Sequence, residues 1–177
     1  LPAITVVSRE EPLPLSYAQQ RLWFLSQMQG VSQAYHMPMG LRLGGVLNHQ
    51  ALRQALDRIV ARHESLRTTF VLADGVPVQH IADAHCGFAL QEHDLRNHTA
   101  AEEELERLTG EEAAAPFDLA VGPLVRGCLI RLADDEHVLL VTMHHIVSDG
   151  WSQGVLINEF SALYNAFSSG KQDPLPP

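Results

Sequence analysis

Two adjacent histidines, an aspartate and a glycine form the chain's clearest chemical pattern, within Met143-His144-His145-Ile146-Val147-Ser148-Asp149-Gly150-Trp151-Ser152. Histidine is the side chain best suited to moving a proton near neutral pH. Neighbours on a strand end point to opposite faces, so one of His144 and His145 is expected to face the core and the other a cleft. That argues against both binding one metal ion, and no metal site is expected. A cleft-facing imidazole could accept a proton from an attacking nucleophile or orient it. Asp149 could hydrogen-bond an imidazole nitrogen or pair with a buried arginine. Taken alone, it reads more readily as a helix cap or loop residue. Gly150 permits a positive φ or a close backbone approach. Its N–H, beside a helix N-terminus, could stabilise developing negative charge.

Other chemistries find less support. The chain has no Gly-x-Ser-x-Gly elbow, no phosphate-binding glycine-rich loop and no Cys-x-x-Cys pair. Cys128 lies in an apolar stretch and reads as core, whereas Cys86, beside Gly87, is expected to be partly exposed with nothing nearby to activate it. His36, His49, His80, His85, His93, His98 and His137 read as structural or solvated. The formal net charge is −9, so a nucleic-acid partner is disfavoured. Much of that charge lies in Glu102, Glu103, Glu104, Glu106, Glu111 and Glu112, which reads as a solvated helix face. No apolar run approaches the length of a membrane span, and residues 1–14 lack a signal pattern. Two cysteines make no disulfide framework, so a reduced cytoplasmic setting is expected.

Periodicity gives the elements that must position the pattern. Leu13 to Leu15 reads as extended. Ser16 and Gln19 form a capping-box pattern for a helix with Ala18, Leu22, Leu25 and Met28 on one face, ended by Gly30. Tyr35 to Leu43 reads as a strand broken by Gly44-Gly45. Asn48 caps a helix whose stripe is Ala51, Leu52, Ala55, Leu56, Ile59, Val60 and His63. Thr68 to Leu72 and Val76 to Ile81 form a hairpin through Asp74-Gly75. Phe88 to Leu95 reads as a strand. A second capping box, Thr99 with Glu102, is expected to open a helix reaching about Ala115 with a defect at Gly110. Leu124 to Leu132 and His137 to His144 pair through residues 133–136, and Ser152 to Phe167 forms a helix burying Val155, Leu156, Phe160, Leu163 and Phe167. The mixture, without strict βαβ alternation, predicts an α+β sandwich.

Three segments together resemble the condensation domains of nonribosomal peptide synthetases. Leu13 to Leu25 is similar to the family's opening Ser-x-Ala-Gln-x-Arg-Leu-Trp pattern. Arg62-His-Glu-Ser-Leu-Arg-Thr-Thr-Phe70 is similar to its second motif, and Met143 to Ser152 carries its His-His-x-x-x-Asp-Gly. The resemblance implies a chloramphenicol-acetyltransferase-like fold of two lobes. Later motifs are absent and the chain stops in a proline-rich stretch, so residues 1–170 are expected to be the N-terminal lobe and 171–177 a linker toward a missing C-terminal lobe. It implies an acyltransferase-type enzyme that joins a carrier-bound donor thioester to a carrier-bound acceptor amine, the isolated lobe being inactive. His145 is then the catalytic or substrate-positioning residue and His144 its support from the core. Asp149 is placed in an ion pair with Arg62, with Arg67 as the rival partner. No cofactor is implied in this lobe; phosphopantetheine belongs to the upstream and downstream peptidyl carrier domains. The opening motif and residues 34–38 resemble the subtype accepting an L-configured donor, although His36 stands where the family often has Asn. An epimerisation domain shares the His-His-x-x-x-Asp core, but Trp151-Ser152 favours condensation. A non-catalytic lobe that only binds carriers is the alternative from another class. The surface that would meet the second lobe is expected to be apolar and to promote self-association.

Overall fold

Residues 138–143, apolar except for Thr142, become the middle of a sheet because both faces of that strand are covered. The structure, a computed structural model, describes residues 8–9, 11–28 and 32–176. In chain order its elements are β1 (Leu13–Pro14), α1 (Tyr17–Ser26), β2 (His36–Gly44), α2 (His49–Arg62), β3 (Thr68–Ala73), β4 (Val76–Ile81), β5 (Ala89–Asp94), α3 (Ala101–Ala114), β6 (Val125–Ala133), β7 (Glu136–His144) and α4 (Gly150–Ser168). Single 3₁₀ turns occupy Ser32–Tyr35 and Glu64–Arg67.

The main sheet has the order β2-β7-β6-β5. β7 is antiparallel to both neighbours, and β5 joins β6 in parallel. Alternation along β7 sends Leu139, Val141 and Met143 to a core shared with α2 and α4, and Val138 and Leu140 to a core shared with Leu105 and Leu108 of α3. The result is a helix–sheet–helix sandwich. A small sheet, β1-β4-β3, packs beside it through Leu15, Phe70, Phe117, Leu119 and Leu124. The β3–β4 hairpin turns at Asp74 and Gly75, both with positive φ (52° and 79°), as the sequence predicts.

Gly127 on β6 is required by close approach. A Cβ there would lie 2.8 Å from the Leu140 carbonyl oxygen and 2.9 Å from the Phe88 ring. Gly127→Ala is expected to cost about 1–3 kcal/mol through overpacking. Urea unfolding of the 177-residue chain measures this, and an unchanged midpoint would refute the tight contact.

Several local expectations differ. α1 buries no residue: Ala18 and Met28 are exposed, Leu22 and Leu25 half-buried, and the helix ends at Ser26, capped by Gln27. The Gly30 stop lies outside the described residues. Thr99 and Glu102 form no capping box. α3 starts at Ala101 without a side-chain cap, and Glu102, Glu103 and Glu104 in its first turn complement the helix dipole instead. The helix runs through Gly110, where the position is open and nothing nearby forces a break. α4 begins at Gly150, two residues earlier than expected, and Val155 is 38% exposed while Leu156, Phe160 and Leu163 are buried. The stretch after α4 lies along α2: Arg58 Nε meets Asp173 at 2.5 Å, Leu175 packs on the main core, and Arg62 donates to the Pro176 carbonyl.

Candidate active site

The sandwich places residues 145–149 between the end of β7 and the start of α4, and both ends of that segment are tied down. His144 is the last residue of β7 and has no exposed surface. Its N–H donates to the Leu124 carbonyl at 3.0 Å. Its Nδ1 accepts the Ile146 N–H at 3.1 Å, so in the neutral ring the proton sits on Nε2. Tyr35, His36 and Phe117 surround the imidazole, with ring centroids 6.5, 6.1 and 6.0 Å away. Burial, and then the nearby His36 and His145, push its pKa down to about 4.

His145 is exposed. Its N–H donates to the Tyr35 carbonyl at 2.9 Å. Its Nδ1 lies 2.7 Å from the Ser148 carbonyl oxygen, which can only accept. The proton is therefore on Nδ1, and Nε2 of the neutral ring keeps its lone pair. His145 lines a cleft of about 590 Å³. One wall is residues 145–149 with Ser152; the other comes from Ser16, Gln19, Arg21 and Leu22, with Tyr35. Ser16 and Gln19 also form the expected capping box, at 3.2 and 2.9 Å. Trp23, further along α1, and its C-cap Gln27 line a second cleft of about 550 Å³ with Phe70 and Phe117.

Asp149 is the N-cap of α4. Its Oδ1 accepts the Ser152 N–H at 2.8 Å and the Ser152 hydroxyl at 2.6 Å, which holds its carboxyl below the usual carboxylate range. The ion pair expected with an arginine of the second motif is corrected here. Arg62 Nε bonds Glu159 of α4 at 3.2 Å, and Arg67 bonds the Ala82 carbonyl and lies 3.5 Å from Glu64. The physical reason is local: a carboxylate at a helix start finds its donors within its own first turn, while α2 lies against α4 and presents Arg62 to Glu159. His63 Nε2 reaches the other oxygen of Glu159 at 2.6 Å. Gly150 has no positive φ, and a Cβ there would meet nothing within 4 Å, so neither expected need for glycine arises inside this chain.

Asp149→Ala is expected to lower the urea midpoint, and Asp149→Ser, which keeps an acceptor at the cap, to stay near the parent. If Asp149→Ser fell as far as Asp149→Ala, the cap would not be its main role. Since its pKa is depressed, this stabilisation is present above the ordinary carboxylate pKa and is lost as pH falls through the folded value.

Sequence reasoning overlooked Glu159, Tyr35 and Ser148. Glu159 was detectable in principle, since it sits three residues after the buried Leu156 and four before the buried Leu163 and needs a cation there. Tyr35 and Ser148 act through backbone carbonyls, which no side-chain pattern marks. Among the described residues, no three His, Cys, Asp or Glu side chains group to hold a metal ion. No described helix is long and apolar enough to cross a membrane.

Known proteins of similar sequence and fold point to one family. The family model described as Condensation domain matches residues 9–177. Malpibaldin synthetase of Mortierella alpina is 53% identical over 171 residues, which are 97% of this chain and 3% of that protein. The chain thus spans a small fraction of the length of the curated relatives it matches. Among solved structures, the X-domain from teicoplanin biosynthesis superposes with a TM-score of 0.87 at 35% identity, over 99% of this chain and 37% of that one. It is also known as a complex with OxyB. The first condensation domain of the calcium-dependent antibiotic synthetase, solved with a substrate analogue, gives a TM-score of 0.80 at 26% identity over 95% of this chain and 40% of that one.

Proposed function

Because this chain belongs to the condensation-domain family of nonribosomal peptide synthetases, we propose that it is the N-terminal lobe of an amide-forming domain with His145 as its reacting group. The observation that carries this is the exposed His145 ring, locked by Ser148 so that Nε2 has a lone pair in the cleft wall. In the proposed reaction, an acceptor amine held on one carrier domain attacks the thioester carbonyl of a donor held on another. A C–N bond forms and the C–S bond breaks. The amine's proton passes to or past His145 Nε2 and reaches the leaving thiolate. The thiols are the phosphopantetheine arms of the carriers; the lobe itself supplies the imidazole and the cleft. Holding two tethered reactants in one cleft supplies much of the rate. Residues 34–38 support an L-configured donor, and residues 171–177 are read as leading toward a second lobe.

A second reading has an observation of its own. The X-domain, at 35% identity, is known in complex with OxyB, so a lobe of this shape that recruits an enzyme is the alternative. The synthetase containing this chain, supplied with two loaded carriers, is expected to yield the condensed product. Carrier binding without product would favour recruitment over catalysis.

The isolated chain is also expected to self-associate. Tyr17 is 92% exposed, Trp151 85% and Phe24 66%. Light scattering at rising concentration checks this, and a monomer throughout would remove the proposal.

A further inference from the structure

A buried imidazole and a half-buried one meet across the β2–β7 pairing with complementary needs. His36 and His144 are register partners. His36 Nδ1 lies 2.9 Å from the Ala113 carbonyl oxygen, so it carries the proton and leaves Nε2 as an acceptor. His144 has the opposite arrangement: its Nδ1 accepts from Ile146, and its Nε2 is a donor. Both Nε2 atoms are buried and have no hydrogen-bond partner among the described residues. A buried polar group left unpaired is expensive, so two that could satisfy one another call for an explanation.

The rings are 6.1 Å apart between centroids, which leaves the two nitrogens beyond the roughly 3 Å of a direct bond even if they point at each other. A centroid separation of 6.1 Å is compatible with nitrogens turned partly toward each other at the roughly 5 Å that one bridging water spans. The Ser32 hydroxyl is a third buried group without a partner among the described residues. Ser32 lines a cleft with Phe117, whose ring lies 5.0 Å from His36 and 6.0 Å from His144.

We propose that one buried water joins His144 Nε2–H to His36 Nε2, making His36 a positioning residue for His145. The path is short. His36 holds the water, the water fixes the His144 ring, and His144 Nδ1 holds the Ile146 N–H, which follows His145 directly. The carbonyl of Tyr35, the residue before His36, accepts the His145 N–H at 2.9 Å. Residues 35 and 36 therefore hold both peptide groups flanking the His145 side chain. The depressed pKa of His144, about 4, agrees with a neutral donor at neutral pH. The consequence for reaction rests on His145 being the reacting group, but the test is spectroscopic and needs no turnover, so either idea can fail alone.

The experiment is nitrogen NMR of the imidazoles in the labelled 177-residue chain. The expected result is a proton on Nδ1 of His36, a proton on Nε2 of His144, and magnetisation transfer from that His144 proton to water. In His36→Phe, which keeps a flat ring but removes the acceptor, the His144 Nε2 proton should lose its hydrogen-bonded shift. The Ile146 amide should exchange about tenfold faster or more. His36→Gln, which returns an acceptor near the Nε2 position, should restore most of both signals. The proposal is overturned if the parent shows the opposite tautomer at either ring. It is equally overturned if the His144 and Ile146 signals are unchanged in His36→Phe. Should that variant unfold, the parent tautomers and His36→Gln decide.

Discussion

On the proposed reading, replacing His145 with alanine in a synthetase carrying this lobe is expected to lower amide formation by about 10²- to 10⁴-fold, the range a general acid–base residue contributes. The fold should be nearly unaffected. The Tyr35 bond to residue 145 uses backbone atoms and survives, and the side-chain hydrogen bond lost, among the described residues, is the one to the Ser148 carbonyl. An exposed substitution of this kind typically changes stability by no more than about 0.5 kcal/mol. Single-turnover product formation from two loaded carriers, read beside the unfolding midpoint, measures both quantities. His145→Gln separates two roles for the ring: an amide can orient an amine but is a poor proton acceptor. Activity recovered by glutamine would assign His145 to orientation. A loss below about tenfold in His145→Ala, with the fold intact, would make tethering the main source of rate.

The second large effect is acid sensitivity arising from His144. Its folded pKa is pushed down to about 4, whereas the unfolded chain takes up that proton near the ordinary 6.5. Between these values the unfolded state binds more protons, so stability falls as the solution is acidified. The contribution is fully present above pH 6.5 and fully lost below about 4. At about 1.4 kcal/mol per pH unit the interval amounts to about 3 kcal/mol. His137, buried and also depressed chiefly by burial, acts in the same direction. Carboxylates held low by their partners, such as Asp94 and Asp149, lose their contributions only at lower pH. Urea midpoints across this window test the effect. His144→Asn can offer an oxygen to the Ile146 N–H without a titrating ring and should remove most of the slope. A midpoint that does not move between pH 6.5 and 4 in the parent would mean that His144 takes up its proton in the folded chain as readily as in the unfolded one.

Much of the fold is legible in the sequence because its signals are local. The Asp74-Gly75 turn, the Asn48 cap, the α2 stripe and the apolar β7 each follow from a few neighbouring residues. What was misjudged depends on partners distant in sequence. α1 looks amphipathic, but residues that could cover its face are not packed on it within this chain. The resemblance pairs Asp149 with an arginine, yet Arg62 is taken by Glu159, 97 residues away from it in sequence, and Asp149 serves as the helix cap that it suggests when read alone. The histidine pair was legible as a pattern. The assignment of its protons was not, since the Leu124, Tyr35 and Ser148 carbonyls and the Ile146 amide that set it belong to the folded backbone.

α1 lines both of the large clefts, and it is fastened by the half-buried Leu22 and Trp23 rather than by a buried stripe. The wall opposite it, at residues 145–149, is clamped by a central strand on one side and a helix cap on the other. The cleft therefore works like a vice with one fixed jaw. A bulkier occupant is expected to displace α1 rather than the imidazole, and such a shift would reshape the neighbouring cleft as well. Selectivity for what enters and the aim of the histidine can then change independently of one another.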